Sequence, residues 1–143
     1  MGTLSSVCHL WSVVDKLYEN CTSRIIIQDS ISDDYTVKHG LREGSVLSPI
    51  LYAIFIDGVV DEMRDCLGVN VNGSVFKALL YVDDIILVSE SAQDLQKMLD
   101  CCQKYANDHS FQFSMKKSQV IVFGEDVDYD FQWKLMGENM AQV

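Results

Sequence analysis

Proline is almost absent: Pro49 is the only one in 143 residues. Long apolar runs are missing as well. None reaches the ~20 residues that a membrane-spanning helix needs, and no basic stretch followed by an apolar one marks the N-terminus as a secretory leader. The cysteines Cys8, Cys21, Cys66, Cys101 and Cys102 are odd in number and lack CxxC spacing. That excludes a zinc site or a disulfide frame and predicts reduced thiols in an intracellular compartment, nucleus or cytoplasm. Basic charge is scarce: 11 lysines and arginines face 21 acids, for a net charge of −10. A surface that holds nucleic acid unaided is basic. This balance fits a metal-binding pocket, or a piece whose basic partners lie elsewhere. His9, His39 and His109 are isolated from one another, and each reads as structural or exposed rather than catalytic.

What is present is a globular chain. A content of 48% hydrophobic and 22% charged residues is ordinary for a packed domain rather than a disordered one, and the length suffices for one domain with a core. Residues 5–20 carry Leu10, Val13, Val14, Leu17 and Tyr18 at helical spacing. Residues 24–28 and 35–37 are strand-like around a polar turn, which predicts a hairpin. Ser48-Pro49 reads as a helix start, with Ser at the cap and Pro in the first turn. The helix runs to about Cys66, with a buried stripe of Ile50, Leu51, Ile54, Phe55, Val59 and Met63 and a solvated face of Asp57, Asp61, Glu62 and Asp65. Asn72-Gly73 between apolar residues predicts a tight hairpin. Ser91 with Asp94 opens another helix, carried to about His109 by Leu95, Met98, Leu99, Cys102 and Tyr105. Residues 111–113 and 118–123 read as short strands. The order predicts an α+β layer with a mixed or antiparallel sheet.

The informative stretch is Leu79-Leu80-Tyr81-Val82-Asp83-Asp84-Ile85-Ile86-Leu87-Val88. Two adjacent carboxylates interrupt a strand-like apolar run, and ionised Asp is rarely buried without a partner. Either the pair sits at a turn in water, or a cation holds it. A turn breaks the alternation of a strand and can leave both carboxylates at one end. Hard oxygen ligands there suit Mg²⁺. Lys116-Lys117 is the one local basic cluster; it is either a solvated strand start or a cation near phosphate. The glycines of the 40–44 loop would let backbone approach a ligand closely.

Taken together, Gly40 to Pro49, then Tyr81-Val82-Asp83-Asp84, then Phe113 to Lys117 with Val120 to Phe123, resemble three consecutive motifs of a reverse-transcriptase palm. Order and intervals match, and the flavour is that of non-LTR, LINE-type retrotransposons. The resemblance implies a fragment of a polymerase palm, with its YxDD hairpin packed on two or three helices. It covers roughly residues 8–124 and implies a partial palm domain over 1–124, and 125–143 would be an acidic C-terminal segment ahead of the last palm motif and thumb. It implies RNA-directed DNA polymerisation by two-metal nucleotidyl transfer. Asp83 and Asp84 would be the metal ligands, and they and Lys117 the catalytic residues, with Lys117 protonating or steadying the pyrophosphate. Arg42, Glu43 and Gly44 would line the incoming nucleotide, and Tyr81 the primer end. The cofactor would be Mg²⁺ or Mn²⁺; the partners would be RNA template, DNA primer and deoxynucleotide, with no membrane.

Two departures temper what the isolated chain should do. Glu43 stands where the family usually has Gln, placing negative charge beside a triphosphate. The family's first palm motif, with a further metal-ligating Asp, has no counterpart: Asp15 is the nearest acid and lies in a helical pattern without a Phe-Asp context. The chain alone is therefore expected to bind metal and nucleic acid weakly and to be inactive. The rival reading is a retroelement-derived, non-catalytic interaction protein that binds a partner, or itself, through an exposed sheet. A phospho-acceptor domain is a poorer match, because strands and helices do not alternate after the Asp pair.

Overall fold

The computed structural model describes residues 2–38, 40–42, 44–124 and 130–143. Met1, His39, Glu43 and residues 125–129 lie outside them. The fold is a small mixed α/β one, with three helices and short strand pairs among the described residues. It divides into two compact units, residues 1–43 and 44–143. No helix among the described residues is long and apolar enough to cross a membrane.

The first unit starts with α1 (Gly2–Tyr18). Two nested antiparallel ladders follow. The outer joins β1 (Thr22–Ser23) to β4 (Tyr35–Thr36), and the inner joins β2 (Ile26–Ile27) to β3 (Ser30–Ile31). The expected hairpin is present, but its turn is tighter than the polar 29–34 stretch implied: Gln28 and Asp29 alone connect β2 to β3, with Gln28 at φ +53°. The guanidinium of Arg24 pairs with the Asp34 carboxylate across the loop.

The second unit contains every buried hydrophobic side chain found among the described residues. Helix α2 (Ser48–Glu62) supplies Ile56 and Val59, and Met63 and Cys66 follow it into the core. Its start differs from expectation. Leu47 is the N-cap residue and makes no side-chain cap hydrogen bond, and Ser48 is already helical. Pro49 sits in the first turn, where its missing N–H costs nothing. Ile50 and Ile54 are exposed, so the buried stripe is narrower than the sequence implied and is centred on 56, 59 and 63. The acids Asp57, Asp61, Glu62 and Asp65 are exposed as read.

Helix α3 (Ala92–Asp108) packs on α2 through Met98, Leu99, Cys102, Tyr105 and Ala106. Ser91 caps it: its hydroxyl accepts from the Asp94 N–H at 3.1 Å and donates to the Asp94 carboxylate at 2.7 Å. Across the interface the Tyr105 hydroxyl donates to the Phe55 carbonyl at 2.5 Å.

Hairpin β5 (Val69–Val71) to β6 (Ser74–Phe76) turns at Asn72-Gly73, both at positive φ as a primed hairpin turn requires. Next comes β7 (Ala78–Tyr81) with β8 (Asp84–Leu87). Residues 111–113 are not a strand, and only β9 (Gln119–Val120) forms within 118–123. The C-terminal part adds β10 (Lys134–Leu135), β11 (Glu138–Asn139) and β12 (Ala141–Gln142), of which β12 runs parallel to β9. Trp133 and Leu135 enter the core. Gln96 of α3 binds the Lys134 backbone twice, accepting from its N–H at 2.8 Å and donating to its carbonyl at 2.9 Å. Pairing is mixed, as expected, but the ladders stay two-stranded rather than merging into one sheet. The β1–β4 strands pair among themselves across short loops, the pairings that cost least closure entropy.

Candidate active site

The carboxylate pair is at the tip of the β7–β8 hairpin. Tyr81 pairs with Asp84 and Leu80 with Ile85, leaving Val82 and Asp83 as the two-residue turn. Alternation fixes what each strand residue does. Ala78, Leu80, Ile85 and Leu87 pack on the core, while Leu79, Tyr81, Asp84 and Ile86 face outward. Tyr81 is 79% exposed and lies opposite Asp84 on the same face. Asp83 and Asp84 are both exposed. The pair is thus at an exposed turn, within reach of solvent and of any cation in it. Among the described residues no lysine or arginine forms an ion pair with either acid.

The turn is made at a cost. Val82 has φ +52°, a left-handed value that a β-branched residue adopts with strain. Primed hairpin turns put Gly, Asn or Asp there. Backbone strain of this kind concentrates at functional sites, where the surroundings hold it.

Beside the tip, a cleft of about 320 Å³ separates the first half of α2 from the hairpin. Pro49, Tyr52 and Asp57 line one wall, and Leu80 and Val82 the other. Burial pushes the Tyr52 hydroxyl pKa up, and the Asp83 charge pushes it further. Asp83 therefore acts electrostatically on α2. No local pattern in the sequence marks Tyr52 or Asp57 as a site residue. Asp57 reads as one of a run of solvated acids, and Tyr52 lies off the stripe of large aliphatics.

The other expected residues belong to other elements. Lys116 and Lys117 are exposed in the turn between α3 and β9, where the Lys117 N–H donates to the Ser114 carbonyl at 3.0 Å. Arg42 belongs to the first unit, and its guanidinium donates to the Cys21 sulfur at 3.2 Å. Gly44 opens the second unit at φ +74°, and Gly40 has φ +99°. Open space surrounds the Cβ position of both, so it is the left-handed backbone, not crowding, that calls for glycine. His109 stacks on Tyr105 with centroids 3.9 Å apart and has Nδ1 2.9 Å from the Tyr105 carbonyl, a structural role.

Carboxylate oxygens are the hard donors Mg²⁺ takes, and one or two suffice when water and phosphate complete the shell. Among the described residues no three His, Cys, Asp or Glu side chains converge to hold a metal ion. The tip therefore fits a cation that a substrate helps to hold, and does not fit an all-protein cage.

Comparison with known proteins gives this geometry a lineage. The family model for reverse transcriptase (RNA-dependent DNA polymerase) matches residues 4–138. The chain is similar to the retrovirus-related Pol polyprotein from type-2 retrotransposable element R2DM of Drosophila melanogaster, 29% identical over 69 residues, covering 48% of this chain and 6% of that protein. It is similar to the corresponding polyprotein from type-1 retrotransposable element R2 of Nasonia vitripennis, 22% identical over 105 residues, 73% of this chain and 10% of that one. A third relative is the transposon TX1 uncharacterized 149 kDa protein of Xenopus laevis, 27% identical over 128 residues, 82% of this chain and 10% of that one. The chain spans a tenth or less of the length of these curated relatives. It belongs to the reverse transcriptase family, in the branch carried by non-LTR retrotransposons.

Proposed function

We propose that this chain is a palm segment of an RNA-directed DNA polymerase, and that on its own it does not carry out template-directed synthesis. The observation that carries the reading is the exposed Asp83–Asp84 pair at the tip of a two-residue hairpin turn, within a chain that matches the family over residues 4–138. The cation is Mg²⁺, with Mn²⁺ as a substitute. When bound, it would activate a primer hydroxyl and neutralise charge on the leaving pyrophosphate. Asp83 supplies anionic oxygen from the turn, and Asp84 from the first residue of β8. Tyr81, outward beside Asp84, offers a ring face to the primer end. Arg42 would pair with phosphate through its planar fork, and Gly44 would let backbone approach the nucleotide. Glu43 opposes that binding by its charge. Lys117 would donate a proton to the pyrophosphate or hold its charge. RNA template, DNA primer and deoxynucleotide are the partners.

The inactivity we propose is supported by the donor set: two metal ions need more carboxylates than the Asp83–Asp84 pair supplies. The test is primer extension on an RNA template with Mg²⁺ or Mn²⁺, with an Asp83→Asn chain alongside. No incorporation above the Asp83→Asn background is expected. Incorporation that disappears with Asp83→Asn would overturn the claim of inactivity and uphold the assignment of Asp83.

A further inference from the structure

Away from the hairpin tip, the packing of α2 on α3 brings two thiols together. Cys66 lies just past the end of α2 and is buried; Cys101 lies in the middle of α3 and is half-buried. Their sulfurs are 3.8 Å apart, although the residues are 35 positions apart in the chain. Cys102, about 100° further round the helix, is buried in the core. A disulfide needs its sulfurs about 2.0 Å apart, so the pair is within a short closing movement of bonding.

We propose that Cys66 and Cys101 form an oxidation site, at which a hydroperoxide such as hydrogen peroxide creates a disulfide tying the end of α2 to α3. Cys101 is the more accessible thiol and reacts first. Its thiolate attacks one peroxide oxygen, the O–O bond breaks, and hydroxide leaves and takes up a proton to give water and Cys101 sulfenic acid. The Cys66 thiolate then attacks the Cys101 sulfur. The S–S bond forms, the S–O bond breaks, and the second hydroxide leaves as water. Two thiols and one peroxide give one disulfide and two waters, with two electrons passing to the peroxide. Burial, the neighbouring Cys66 and the acids Glu62 and Asp100 push the Cys101 thiol up to about 11. Little thiolate is present near neutrality, so the pair is a slow clasp rather than a rapid peroxide sensor. Of the two helices it would join, α2 lines the cleft, and both contribute to the core on which the inner face of the hairpin packs.

The full chain treated with hydrogen peroxide, alkylated under denaturing conditions and mapped by peptide mass spectrometry provides the test. The expected result is a dominant Cys66–Cys101 link with Cys102 recovered as alkylated thiol, and a rise in the thermal midpoint that reductant reverses. Cys66→Ser should remove the link and let Cys101 proceed to sulfinic acid. Cys66 recovered alkylated from the oxidised wild-type chain would overturn the proposal, as would a dominant link through Cys102 or between Cys8 and Cys21. The wild-type map decides the matter without relying on the folding of any variant.

Discussion

Helices α1 and α3 are both 17 residues long, and both repeat apolar side chains at three- and four-residue spacing. Helix α3 buries Met98, Leu99, Cys102 and Tyr105, whereas α1 leaves Leu10 65% and Trp11 69% exposed. The difference is what each helix meets inside its own unit. Helix α3 lies against α2 and receives Trp133 and Leu135 from the C-terminal segment. Among the described residues the first unit offers α1 two-residue ladders, whose Ile26, Ile27 and Ile31 are themselves exposed. Periodicity specifies a helix, but burial needs a second apolar surface, and most helix stability in a protein comes from that packing.

The largest expected effect separates the units directly. Met98 is fully buried, so Met98→Ala should cost about 2–5 kcal/mol. Leu10→Ala should stay within ~0.5 kcal/mol, as for other surface changes. Urea unfolding of the two variants compares them, and equal losses would break the contrast between the units. A smaller effect lies within the second unit. Ser91→Ala removes the side-chain cap of α3 and should cost about 1 kcal/mol. Ser48→Ala should cost less, because Ser48 lies inside the first turn of α2 and not at its N-cap position. Equal shifts in thermal midpoint would contradict the assignment of the two helix starts. The smallest effect has the opposite sign. Val82→Gly relieves a positive φ in the hairpin turn and should stabilise the chain by ~0.5–1 kcal/mol. A loss of stability by the same measurement would show that Val82 contributes more by packing than it costs by strain.

Features set by neighbouring residues were legible in the sequence. Asn72-Gly73 marked its turn, Ser91 with Asp94 marked its cap, and the α3 stripe predicted the buried face. Features set by distant partners were not. The cleft of Tyr52 and Asp57 exists because the hairpin turn lies opposite α2. The parallel pairing of β9 with β12 joins residues about twenty positions apart. Phe131, Trp133 and Leu135 do alternate with polar residues, a half-buried pattern, but the acidic run just before them obscured it. The carboxylate pair was legible because its conflict is local: charge in the middle of an apolar run has few solutions, and a solvated hairpin tip is one.

Whether that tip still holds a cation can be read residue by residue. Titrating the labelled chain with Mn²⁺ and following amide signals by NMR measures where the ion spends its time. Selective broadening of residues 81–85, growing only at millimolar Mn²⁺ and lost with Asp83→Asn, is the predicted result. Broadening centred on Asp57, Asp61 and Glu62, or none at the hairpin, would contradict the assignment of Asp83 and Asp84 as the metal-holding pair.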